Sequence, residues 1–231
     1  MKKFLMFLIL FLLLFSSDAF TQNDNASIGI FSGINLNSNS FEFDDEKNFM
    51  DTSYSNDTKT NFSMGVFAMY DIAKNFGIRI QGQYINKGGI TKVNTYTGNN
   101  LTPIERSYRN SINYIQFSFF PQFNLPLDEK KSKSKAYINA GGYLSVKLSA
   151  KEYITYSTDY EEMSIEKDIS NSIKGSDAGL IFGASLVYGE FLIDVRYDLG
   201  LTNITEEAVL KGFLKIKNRS INISVGWTGG I

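Results

Sequence analysis

The stretch "FLIDVRYDLGL" (residues 191–201) decides how the chain is read. Asp194, Arg196 and Asp198 fall on alternate residues, with Ile193, Val195, Tyr197 and Leu199 between and beside them. Successive side chains of a pleated strand leave on opposite sides, so a period of two means a β-strand with one apolar face and one ionic face. In a soluble sandwich the apolar face is buried. In a membrane barrel the apolar face meets lipid and the ions fill the interior. Alternation alone fits both, and the rest of the chain separates them.

The N-terminus points to export. Lys2 and Lys3 precede twelve unbroken apolar residues, Phe4 to Phe15, followed by Ser16, Ser17, Asp18 and Ala19. A basic start, a short apolar run and small residues make a secretory signal peptide. As a helix the run spans about 18 Å, too short for a bilayer core of roughly 30 Å. Ser17-Asp18-Ala19 sets cleavage between Ala19 and Phe20, with Thr21 as an alternative end. Residues 20–231 are then a single exported β domain. There is no cysteine, which excludes disulfides and a lipid anchor on an N-terminal cysteine. The precursor carries a net charge of −1, and loss of Lys2, Lys3 and Asp18 leaves −2. A nucleic-acid partner needs a basic surface that this balance does not supply.

Eight segments alternate like the opening one, at about 27–36, 62–71, 76–84, 114–123, 138–147, 177–186, 191–199 and 220–227. The spacers between them alternate too. Those at about 37–60, 87–110, 149–174 and 202–215 are long. "DIAKN" (71–75) and "YGE" (188–190) are tight, and "LPLDEKKSKSK" (125–135) is intermediate. Long loops at one end and short turns at the other is the plan of outer-membrane barrels, whereas soluble meanders have short connections at both ends. The polar faces hold Gly, Ser, Asn, Gln and Tyr with isolated ions, which suits a narrow interior. Aromatic residues on the apolar faces gather near segment ends: Phe62, Tyr70, Phe76, Tyr84, Phe123, Tyr188, Phe191 and Trp227. That is where lipid–water girdles lie.

The expected fold is all-β: an eight-stranded antiparallel up-and-down transmembrane barrel in the bacterial outer membrane, with four long loops on one side and short turns on the other. The ions point inward. Arg196 is expected to be the hub of a lumen cluster with Asp194 and Asp198, joined by Arg79 across the barrel. Phe31, Phe67, Tyr114, Phe120, Tyr143 and Lys147 also face in. The inward glycines Gly29, Gly33, Gly65, Gly77, Gly141, Gly179 and Gly183 are the places where cavities are expected.

"FGIRIQGQYINKGG" (76–89), "NYIQFSFFPQF" (113–123), "SDAGLIFGASLVYG" (176–189), "RYDLGLTNI" (196–204) and "KNRSINISVGW" (217–227) resemble the PorT-like outer-membrane β-barrel family. The resemblance covers nearly all of residues 20–231. "RYDLGLTNI" is its most specific piece, followed by the Asp-x-Gly of Asp177 and Gly179. It implies an eight-stranded barrel in the outer membrane, and its name-giving branch serves protein secretion across that membrane. Gln81 stands where the family often has a glutamate, and the chain ends "WTGGI" where an aromatic residue is usual.

Catalytic chemistry is thin. With no histidine, Ser-His, Cys-His and Asp-His arrangements are excluded, as is a histidine metal site. No phosphate-binding glycine loop occurs. Arg196 lies between Asp194 and Asp198 and favours the ionised form of both, against a carboxylate pair that shares a proton. The acidic stretches 41–51 and 159–168 lack calcium-loop spacing and read as solvated loops. The chain is therefore expected to have no catalytic residues, no metal and no cofactor. Its expected partners are outer-membrane lipid and outer-membrane or secretion-machinery proteins. Two roles follow: a structural or assembly component with a plugged lumen, or a receptor or adhesin working through its loops. A small-solute pore ranks below both because eight strands enclose so little space.

Overall fold

The computed structural model describes residues 25–43, 52–97, 102–125, 134–157, 162–206 and 213–230. The expected signal peptide and its cleavage site at Ala19 and Phe20 lie outside them. Among the described residues there are eleven strands. They are β1 (Ala26–Phe43), β2 (Thr52–Asp57), β3 (Lys59–Ala73), β4 (Phe76–Lys87), β5 (Ile90–Thr97), β6 (Thr102–Leu125), β7 (Ser134–Ser157), β8 (Glu162–Asp168), β9 (Ser176–Tyr188), β10 (Phe191–Gly200) and β11 (Phe213–Gly230). Among the described residues a 3-10 turn spans Ser170–Ser172.

All pairings between these strands are antiparallel. The order β4-β3-β1-β11-β10-β9-β7 is closed by β6, which pairs with both β4 and β7. Closure leaves this ring without an edge. Its strands contain the eight alternating segments. β5 pairs with the upper part of β6, β2 with β5, and β8 with the upper part of β7. Beyond the ring, β2-β5-β6-β7-β8 therefore form a five-stranded sheet continuous with the barrel wall.

That sheet corrects the expected loops. Much of 37–60, 87–110 and 149–174 is strand, because β1, β6 and β7 run on past the ring and β2, β5 and β8 join them. The acidic stretch expected to be a loop at 159–168 is largely β8, while residues 44–51 of the other stretch lie outside the described residues. The physical reason is solvation. Where both faces of a sheet meet water, hydrophobic alternation vanishes, yet Thr, Val, Ile and Tyr in "ITKVNTYT" and "KEYITYS" still favour a pleated backbone. The opposite end is compact. β3 and β4 join through Lys74-Asn75, and β9 and β10 through Gly189-Glu190. Gly189 supplies the left-handed φ of 59° that the second turn needs.

The faces fall as the ions require. On β10, Leu192, Asp194, Arg196, Asp198 and Gly200 are buried, while Phe191, Ile193, Val195 and Tyr197 are exposed. Val195, at 46 % exposure, is open while Asp194, at 0 %, is sealed. This reverses the arrangement of a soluble core. The eight aromatics expected at the girdles all project outward, and Phe76 and Phe123 meet edge to face at 5.7 Å. Inside, three apolar clusters stack along the axis. Phe31, Phe67, Met69, Tyr137, Val187 and Leu192 lie toward the short turns. Phe120, Tyr143 and Ile181 pack near the middle. Ile85, Ile112, Tyr114, Ala150, Ile169, Ile173, Ile204 and Ile216 close the far end.

At Gly29, Gly179 and Gly183 a large neighbour, Phe67, Tyr143 or Arg196, leans into the space where a cavity was expected. A Cβ on Gly183 would stand 2.7 Å from Arg196 Cγ, and one on Gly179 2.7 Å from Tyr143 Cε1. Glycine here lets a long side chain lie along the wall.

Candidate functional site

The lumen is the place where chemistry-bearing residues converge. β4 and β10 lie on opposite sides of the ring, four steps apart in either direction. Even so, Arg79 Nη1 on β4 stands 3.0 Å from Asp194 Oδ1 on β10. Arg196 Nε lies 2.6 Å from Asp194 Oδ2, an ion pair off the hydrogen-bond line. The Ser185 hydroxyl donates to Asp194 Oδ1 at 2.6 Å. The Arg79 guanidinium sits 4.7 Å from the Phe67 ring and 5.3 Å from the Phe120 ring, and Arg196 sits 5.7 Å from the Phe31 ring. The hub of the cluster is thus Asp194, not Arg196. Asp198 stands apart, with Oδ2 accepting from Gln116 Nε2 at 3.0 Å. Arg196 turns toward Asp194 and Gln83 because same-face neighbours point to either side of it, and one guanidinium cannot close on both.

A second ionic layer lies nearer the long-connection end. Lys87 Nζ is 3.1 Å from Asp177 Oδ2 and 3.9 Å from the Tyr143 ring centroid. Asp177 also accepts from Tyr143 Oη at 3.2 Å, Asn218 Nδ2 at 3.0 Å and Thr202 Oγ1 at 2.9 Å. Periodicity had missed this pair because Lys87 ends its strand and counted as loop. The Asp-x-Gly at Asp177 was the one signal for it.

Above that layer a lid covers the mouth. Ile169 and Ile173 flank the 3-10 turn, and Ile204 comes from the β10–β11 connection. Backbone bonds join the two segments: Lys174 N donates to Ile204 O at 2.7 Å and Glu206 N to Ser172 O at 3.0 Å. Lys147 Nζ reaches up to donate to the carbonyls of Ser170 and Ile173. At the other mouth a cavity of about 200 Å³ is lined by Ser27, Met69, Asp71, Tyr137, Val187 and Glu190, among others. Lys135 closes on Asp71 there at 2.6 Å.

The outer sheet continues the wall upward. Its lumen-side face carries Tyr108, Ile154, Ile165 and Met163, with Arg106 stacked 5.6 Å from the Tyr156 ring. Its other face carries ion pairs, Lys92 with Asp57 at 3.1 Å and Lys151 with Glu166 at 2.5 Å. At the base of this region, Lys59 Nζ donates to Asn110 O at 3.1 Å. Burial, with help from the Arg109 charge, brings its amine down to about 8. Among the described residues no three Asp or Glu gather to hold a metal.

The sequence that builds this ring also matches a known family model. Residues 20–206 match the outer membrane protein β-barrel domain. The chain belongs to that family. It is a protein of the bacterial outer membrane. Solved structures similar to it include the outer membrane protein OprG from Pseudomonas aeruginosa, at 16% identity over 90% of this chain and 98% of that one, TM-score 0.46. The outer membrane protease OmpT from Escherichia coli is 14% identical over 93% and 99%, TM-score 0.43. The attachment invasion locus protein Ail of Yersinia pestis is 12% identical over 89% and 99%, TM-score 0.37. No curated protein sequence matches the chain.

Proposed function

We propose that this chain is an eight-stranded outer-membrane barrel with a closed lumen, and that it works through its surfaces. The observation that carries this is the Arg79–Asp194 pair, which ties opposite walls together at 3.0 Å between two apolar layers. A lumen spanned in this way is a strut. The surface best placed to act is the five-stranded sheet beyond the ring, which presents half-exposed tyrosines and isoleucines on one face and ion pairs on the other. Exposed aromatic and aliphatic groups beside charges suit contact with another protein. This supports a receptor or adhesin role for the sheet. The resemblance to PorT-like barrels supports the second reading, an assembly component serving protein secretion, in which the same sheet or the periplasmic mouth would bind machinery. The absence of histidine, and the sealing of Asp194 by two arginines, support a non-enzymatic role. The reading includes removal of residues 1–19 on export, checked by N-terminal sequencing of the membrane form.

A deletion strain separates the two roles. Failure to export many proteins identifies an assembly component, and loss of a single surface-binding phenotype with export intact identifies a receptor. Co-purification from native membranes then names the partner.

A further inference from the structure

One wall of the lumen is built of short amides and hydroxyls. Asn35, Asn37 and Asn39 on β1 face Asn222, Ser220 and Asn218 on β11 in register. On the other side of β11, Asp198 is opposite Ser220 and Arg196 opposite Asn222. Opposed residues on neighbouring strands lie about 5 Å apart, and successive same-face residues about 6.6 Å. Asp198, Ser220 and Asn37 therefore form one row, with Asn218 and Asn222 one step to either side. All of these residues are buried.

The amides are oriented by what their nitrogens do. Asn37 Nδ2 donates to the Asn35 and Asn86 carbonyls, Asn218 Nδ2 to Asp177 and Asn222 Nδ2 to Ser220 Oγ. Carbonyl and carboxylate partners accept only, so they fix which end of the Asn37 and Asn218 amides is oxygen. The Oδ1 atoms of Asn37, Asn218 and Asn222 have no protein partner, and neither does Asp198 Oδ1. Asp198 is the exception among the lumen carboxylates. Asp177 has Lys87, and Asp194 has Arg79 and Arg196. Among the described residues no cation stands within ion-pair distance of Asp198; its own-strand neighbour Arg196 turns to Asp194 and Gln83, with Nη1 left without a hydrogen-bond partner.

A buried carboxylate is costly unless a positive charge compensates it. Each orphaned oxygen adds to that cost unless something donates to it or coordinates it. One carboxylate among neutral carbonyl-type oxygens is a hard, singly charged donor set. Divalent calcium draws on several carboxylates, and soft metals need sulfur or imidazole, which this wall lacks. We propose that Asp198, with the amide oxygens of Asn37 and Asn218 beside it, holds a monovalent alkali cation, Na⁺ or K⁺, inside the barrel. The cation neutralises a lumen carboxylate that the arginines and Lys87 do not reach, and it ties β1, β10 and β11 together.

The test uses protein purified from outer membranes in detergent. Thermal unfolding is followed in NaCl, KCl and choline chloride at equal concentration. A binder of the folded state raises the midpoint saturably, so Na⁺ or K⁺ should give a higher, saturating midpoint than choline, which is too large to enter. Asp198→Asn should remove the difference. Crystals grown in thallium(I) acetate, Tl⁺ standing in for K⁺, should show an anomalous peak in contact with Asp198 Oδ1. Identical midpoints in all three salts would overturn the site. So would a cation effect that survives Asp198→Asn, or thallium peaks only elsewhere, which would mark an adventitious ion only. If the variant does not fold, the wild-type salt comparison and the thallium map decide alone.

Discussion

Asp194 is held by groups from three strands: Arg79 on β4, Ser185 on β9 and Arg196 on β10. Removing it leaves two buried guanidinium groups facing each other, and breaking a buried pair from one side costs about 3–5 kcal/mol. Asp194→Ala should therefore unfold at markedly lower urea than wild type when both are folded in lipid vesicles. Arg196→Ala should cost less, because Asp194 keeps Arg79 and Ser185. Equal losses would return Arg196 to the centre of the cluster. Lys59 offers a second check. Its amine titrates near 8 against the ordinary 10.5, because burial and Arg109 disfavour its charge. Between those values the unfolded chain binds more protons, so this group's penalty is full below pH 8 and is relieved as pH rises toward 10.5. Methyl-labelled lysine NMR should show one resonance with a midpoint near 8. Which residues of "FLIDVRYDLGL" face inward was legible once the rest of the chain assigned the apolar face to lipid, since period two fixes the faces. Which carboxylate each arginine chooses was not, because that depends on distance across the lumen, which no local pattern records.

Strands inside the bilayer announce themselves and strands above it do not. β10 alternates without a break because one face meets lipid and the other the lumen. β8, "EMSIEKD", has Met163, Ile165 and Lys167 on one side and Glu, Ser and Asp on the other, too few apolar residues over seven positions to stand out where both sides meet water, so it reads as loop. Lys87 was lost for the same reason, at the point where β4 leaves the alternating region. The ring and the outer sheet should accordingly separate in experiment. Closure runs through the β6–β4 and β6–β7 pairings, and β8 adds only an edge to β7. Replacing Glu162–Asp168 by a Gly-Ser linker should leave the barrel folded. The measurement is migration in SDS gels before and after boiling. A shift equal to that of wild type is expected, and loss of the heat-sensitive band would show that the sheet is needed to close the ring.

At the scale of the whole molecule, the question is whether anything passes through. An eight-stranded ring encloses a space only about wide enough for its own side chains. Here that space holds two ionic layers, three apolar clusters and a lid. Gly183 and Gly179 are covered by Arg196 and Tyr143. The cavity of about 200 Å³ at the short-turn mouth ends on Met69 and Val187 and does not reach the other side. Water and a trapped ion could sit along the asparagine wall, but a continuous column would have to pass Phe31, Phe67, Phe120 and the Arg79–Asp194 strut. Opening it requires moving buried charges apart in a low-dielectric space, which makes spontaneous gating costly. Single-channel recordings of the purified barrel in planar bilayers should therefore show a quiet baseline with no porin-like steps. Stable, reproducible conductance steps would mean that the strut breaks in the membrane, and solute diffusion would then replace surface binding as the proposed function.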